Sequence, residues 1–168
     1  MDLIQAILVG IAIAAIFNGT VASLVLINPR FFLDSYPKAI QKIAPKPMTK
    51  QEKKINTILT IIIVGICFVY STMSLLHSGV VGFWNIFWMG YIQWSILNAG
   101  DFLLLDCLLF QGKHKGEIVI PGTEGQEDYK FKNWMKHLSL AEHFLFVPFL
   151  LIPIVAVVQA FVVEFLAS

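Results

Sequence analysis

Long apolar runs alternate along the chain with shorter polar ones. Four of the apolar runs reach the roughly 20 residues that a helix needs to cross about 30 Å of hydrocarbon. They are Leu3 to Ile27, Ile55 to Leu76, Val80 to Phe110 and Leu138 to Leu166. Each is continuous rather than alternating in polarity, which predicts helices and not barrel strands. The third is long enough to tilt, and Pro148 and Pro153 interrupt the fourth. Only His77-Ser78-Gly79 separates the second from the third, so these two form an antiparallel hairpin. The predicted fold is an all-α, four-transmembrane-helix bundle, with residues 1–168 as a single integral membrane domain.

The two longer polar segments carry local signals of their own. In the first, Asn28-Pro29 stops the first helix, because proline biases the residue before it away from the helical region. Asp34 or Ser35 is placed to cap a short helix with Pro37 in its first turn, running to about Ile43. Phe31, Phe32, Ile40 and Ile43 would give this segment an apolar face on the membrane surface. Pro45-Lys46-Pro47 is a stiff break, and Thr49-x-x-Glu52 is a capping box opening the second long helix. In the second segment, Glu117 to Ile120 is a β-prone run, followed by a turn at Pro121-Gly122-Thr123-Glu124-Gly125. Phe131 and Trp134 point back toward the bilayer, and Ser139-x-x-Glu142 is a second capping box.

Composition agrees with a membrane protein. The chain is 57% hydrophobic and only 14% charged, against roughly 25% charge in average soluble domains. A net charge of +1 gives nucleic acid no footing. All 12 Lys and Arg residues lie between Arg30 and Lys54 or between Lys113 and Lys136. Basic loops stay cytoplasmic, so both termini are expected outside and both long segments inside, where they would gather anionic lipid headgroups. Met1-Asp2 leads directly into apolar sequence with no basic n-region, so the first helix is read as retained rather than cleaved. Without a targeting peptide and with compact loops, a bacterial inner membrane is the expected location. Cys67 and Cys107 lie in apolar runs and are read as free thiols. Trp84, Trp88 and Tyr91 suit an interfacial aromatic belt.

Candidate chemistry centres on the stretch from Gln93 to Phe110, which carries Asn98, Asp101 and Asp106 within an otherwise apolar helix. An ionisable group at the centre of a membrane helix costs about 2.5–3.5 kcal/mol on insertion scales, which makes it a functional-site candidate. On an α-helical wheel of 100° per residue, Trp94, Ser95, Asn98, Asp101 and Asp106 share one broad face, with Asp101 and Asp106 about 140° apart. That face must turn inward, and the first and third helices are expected to pack around it, with help from the fourth. Glu142 and His143 open the fourth helix at the same end. Asp101, Asp106, Glu142 and His143 are the candidate acid–base or metal-binding set. No HExxH or comparable spacing is present to specify a metal or any other cofactor. Asn18, Gly19, Thr20 and Ser23 on the first helix suit close helix approach. The Gly-rich turn with Thr123 and Glu124 is positioned to act as a lid or to offer backbone N–H groups to an anion.

Leu105-Asp106, together with Ile120-Pro121-Gly122-Thr123-Glu124-Gly125 and then Tyr129, resembles a pattern in small bacterial four-helix membrane proteins of unassigned function. The likeness covers roughly residues 93–145, and Cys107 stands where that pattern carries Trp. The resemblance implies that the segment from Asp106 to Tyr129 works as one unit, and it implies no activity.

Three functions fit these features. The foremost is a transporter or channel-type subunit handling an ion, a proton or a small amphiphile, with Asp101 at its centre and Asn98, Ser95, Trp94, Asn18, Thr123 and Glu124 contacting the substrate. The second is a membrane-embedded enzyme acting on a lipid at the cytoplasmic leaflet, and the third is a non-catalytic assembly protein. A homo-oligomer is plausible for a chain this small with an acid inside its membrane segment.

Overall fold

A computed structural model describes residues 1–112, 115–136 and 140–168. Lys113, Leu138 and Ser139, and with them the start of the fourth apolar run and its proposed capping box, lie outside the described residues. Four helices are long and apolar enough to cross a membrane: α1 (Leu3–Ile27), α3 (Lys50–His77), α4 (Phe83–Leu109) and α6 (Glu142–Ala167). Two short helices, α2 (Lys38–Ile43) and α5 (Phe131–Trp134), lie in the long loops. No strand occurs among the described residues.

Local chemistry sets the helix ends. Asp2 and Gln5 form a reciprocal capping box at the head of α1, and Thr49 and Glu52 form the expected one at the head of α3. Glu52 does more than cap, because its Oε1 also accepts a hydrogen bond from Arg30 Nε at 2.9 Å. Arg30 in turn donates to the Lys46 carbonyl at 2.8 Å, so the first loop is tied at both ends. Between α3 and α4 the chain reverses through Gly79, whose φ of +66° is a left-handed conformation that glycine adopts without steric cost.

Helix α4 is the centre of the bundle, packed against α1 on one side and α6 on the other. Two glycines allow these approaches. A Cβ at Gly10 of α1 would lie 2.8 Å from Ile96 Cβ, and one at Gly90 of α4 would lie 2.8 Å from Gln159 Oε1. The expected approach at Gly19, Thr20 and Ser23 is not made. These three residues are exposed, a Cβ at Gly19 would meet nothing within 4 Å, and the hydroxyls bond back to carbonyls of their own helix.

The two loops fold together into a cap over one end of the bundle. Leu33, Tyr36, Ile40, Ile118, Ile120, Tyr129 and Trp134 are buried there with Val21 and Val25 of α1. Tyr36 donates its hydroxyl proton to the Ile118 carbonyl at 2.9 Å and packs edge-on to Trp134, with ring centroids 5.6 Å apart. Burial, and secondarily Tyr129, pushes the Tyr36 phenol up, so it remains a neutral donor.

Three loop expectations are corrected. Asp34 and Ser35 do not cap α2. They end a preceding 3₁₀ turn, Pro29–Ser35, which Asn28 caps. Residues 117–120 are not a strand: the Val119 N–H bonds to the Gly116 carbonyl and the Thr123 N–H to the Ile120 carbonyl, so the segment turns at both ends while Ile118 and Ile120 bury in the cap. The Gly-rich turn is a brace rather than a lid. Thr123 donates to the Ile120 carbonyl at 2.7 Å and meets the Tyr129 hydroxyl at 2.8 Å. The Glu124 carboxylate accepts from the Gly122 N–H, and Gly122 lies against Pro45 so closely that a Cβ would come within 2.4 Å of its ring.

Candidate functional site

The helix geometry changes where the polar residues sit. From Asp101 to Leu109 α4 is wound as a π-helix, and so is α6 from Glu142 to Leu151. The Phe110 N–H accordingly bonds to the Leu105 carbonyl, five residues back, at 2.8 Å. In such a helix, residues five apart come to the same side, whereas α winding brings together those three and four apart. The expected 140° separation of Asp101 and Asp106 is therefore wrong: both line one cavity. In α6, Pro148 sits inside the π stretch, where it lacks the N–H that an α-helical bond would require.

The cavity has a volume of about 250 Å³ and lies under the cap. Its apolar walls come from Phe17, Val21 and Val25 of α1, Ile63 of α3 and Leu105 of α4, with the aromatic rings of Phe32, Tyr36, Phe110 and Trp134. Ser35, Thr60, Asp101, Asp106, Glu142 and His143 complete it. Glu142 is exposed and Asp101 half-buried, which places the open side of the cavity near Glu142.

Asp106 and His143 are both buried and form an ion pair, Oδ2 to Nε2, at 3.1 Å. Asp106 Oδ1 accepts the indole N–H of Trp134 at 3.1 Å. On the other side of the imidazole, Nδ1 is 2.8 Å from Asn98 Oδ1. Asn98 Nδ2 donates to the backbone carbonyl of His143 at 2.9 Å. A carbonyl only accepts, which fixes the amide orientation and requires a hydrogen on Nδ1. One further proton lies between Nε2 and Asp106. Whether ring or carboxyl carries it, the pair has no net charge, and His143 has no ring nitrogen free to act as a base. Asp101 and Glu142 accept no hydrogen bond among the described residues. Both carboxyl groups line the cavity.

The other candidates lie apart from it. Trp94 donates to Gln159 Oε1 at 3.1 Å, inside a second polar cluster between α3, α4 and α6. There Gln159 Nε2 donates to Ser71 Oγ at 2.8 Å and to Thr72 Oγ1 at 3.1 Å, and Ser71 donates to Gln93. Asn18 is buried against Gly100, donates to the Ala14 carbonyl of its own helix at 2.8 Å, and leaves its Oδ1 without a partner. Ser95 is half-buried, Thr123 buried and Glu124 exposed, and none of the three lines the cavity.

Sequence reasoning missed Trp134 as a partner of Asp106, and it missed the Ser71–Gln93–Gln159 cluster. Ser71, Gln93 and Gln159 each lie within a membrane-spanning apolar run, and the signal that could have found them is that polar groups inside a bundle must seek one another. Among the described residues, no three His, Cys, Asp or Glu side chains converge closely enough to hold a metal ion. The chain matches no protein-family model, no curated protein and no solved structure.

Proposed function

We propose that the protein is a small transporter-type subunit that binds a small amphiphile in the cavity beneath the cap. The observation that carries this reading is the cavity itself, with aliphatic and aromatic walls and the carboxyl groups of Asp101 and Glu142 at one side. Such a lining suits a molecule with an apolar body and a polar head. An enzymatic reading has less support, because His143 is occupied at both nitrogens and the described residues offer no metal set. Away from the cap, the packing of Ile13, Ala14, Cys67, Trp94, Leu97 and Ile152 closes the bundle. The site thus reads as open at one end only, as a carrier is in one of its states. With the basic loops cytoplasmic, that end faces the cytoplasm, and the loop lysines rest among anionic headgroups.

Native mass spectrometry of protein solubilised from its membrane tests this reading. A small-molecule adduct is expected on the wild type, and Val21→Trp or Ile63→Trp, which fill the cavity, should remove it while the helical circular dichroism is unchanged. An adduct that survives both substitutions places the ligand elsewhere.

A further inference from the structure

The charge of the cavity indicates what it binds, given the binding site proposed above. The chain has 12 Lys and Arg residues, and most belong to the two loops that build the cap. Yet no described Lys or Arg lines the cavity. The Asp106–His143 pair is neutral as a unit, by the proton count above. Asp101 and Glu142 remain, both acidic. Among the described residues, anionic ligands such as a lipid phosphate would meet two carboxyl groups and no Lys or Arg. A divalent metal would need converging ligands that the described residues do not provide.

We propose that the ligand is a small organic ammonium cation, with its charged head beside Asp101 and Glu142 and its apolar part among the aromatic rings. Phe17, Phe32, Tyr36, Phe110 and Trp134 all contribute to the wall, and aromatic faces attract quaternary ammonium groups through the ring quadrupole. An ammonium cation carrying alkyl groups is weakly hydrated, so it enters an apolar cavity at lower desolvation cost than a metal ion does.

Protons compete for the same two carboxyl groups, so binding weakens on acidification. Among the described residues, the other titratable groups lining the cavity with Asp101 and Glu142 are Tyr36 from the first loop, Asp106 on α4 and His143 on α6. From α1 and α3 come only Phe17, Val21, Val25, Thr60 and Ile63, none of which titrates.

The test compares shape with charge. Choline and 3,3-dimethylbutan-1-ol have nearly the same shape and differ in whether nitrogen or carbon carries the methyl groups. Both are titrated by calorimetry into the whole protein in a maltoside detergent, alongside 3,3-dimethylbutanoate as the anionic counterpart. Choline is expected to bind at least about tenfold more tightly than the alcohol, and the anion not to bind. Asp101→Asn and Glu142→Gln should each weaken choline by about tenfold and leave the alcohol unchanged, and moving from about pH 8 to about pH 5 should weaken choline in the wild type. Equal binding of choline and alcohol, or tighter binding of the anion, overturns the cation assignment while leaving the cavity as a binding site. Choline binding indifferent to both substitutions and to pH also overturns it. If none of the three binds, and the cavity-filling Val21→Trp has no effect on co-purified adducts, the binding reading itself fails. The isostere comparison uses the wild type alone, so it stands even if a variant does not fold.

Discussion

His143 is the residue on which the site depends most. It joins α6 to Asp106 through its ring and to Asn98 through both ring and backbone. Removing one partner of a buried ion pair strands the other, at a cost of about 3–5 kcal/mol. His143→Ala is therefore expected to lower stability by about that much in denaturant titrations in detergent. Adding Asp106→Asn to it should cost less than Asp106→Asn costs alone, and the double-mutant cycle measures the coupling. Additive losses would mean that the two side chains act independently. The residues of this site were legible in the sequence: Asp101, Asp106, Glu142, His143 and Asn98 are polar groups where lipid admits few. Their connectivity was not. The wheel assumed α winding, and the π turns that align Asp101 with Asp106 leave no compositional mark beyond Pro148.

At the level of elements, the long helices were predictable because apolar length is set by bilayer thickness, and the structure begins α3 at Lys50, as the Thr49–Glu52 box requires. Helix contacts were less legible, since a glycine gives no sign of what it faces. Gly19 was expected at a close helix approach and makes none, whereas Gly10 and Gly90 lie at contacts where a Cβ would clash. Gly10→Ala and Gly90→Ala should each destabilise by about 1–3 kcal/mol, the usual cost of overpacking. Gly90→Ala should also displace Gln159 from the Trp94 indole, visible as a shift in tryptophan emission. Gly19→Ala, with open space around it, should be neutral or stabilising by up to about 1 kcal/mol from helix propensity. In the cap, the Gly122 N–H holds the Glu124 carboxyl below the usual glutamate range. A depressed folded-state value means that this contact stabilises above the ordinary glutamate range and is lost as pH falls through the lowered value. The Gly122 amide resonance should therefore titrate with a midpoint below that of an unperturbed glutamate, and Glu124→Gln should abolish the titration.

For the whole molecule, the decisive property is its polarity along the membrane normal. One end holds the cap, the cavity and the basic loops. The other holds the Gly79 turn, the N-terminus and the C-terminus of α6. The Met1 amino group lies 3.5 Å from the Ser78 carbonyl, which places the N-terminus and the α3–α4 turn on the same side. Lys and Arg are retained on the cytoplasmic side during insertion, so the cap end is expected in the cytoplasm. The arrangement allows a direct check. In a background lacking Cys67 and Cys107, a single cysteine at Ser78 should react with a membrane-impermeant maleimide added to intact cells. One at Lys42 in α2 should react only after the cells are opened. The reverse pattern would turn the cavity toward the outside, and the carboxyl groups of Asp101 and Glu142 would then meet ligands from the medium. Labelling of both positions in intact cells would mean that the chain inserts in two orientations, in which case the cavity serves both faces of the membrane. The even basic bias of the two loops argues for a single orientation, because every positive loop residue favours the same side and none opposes it.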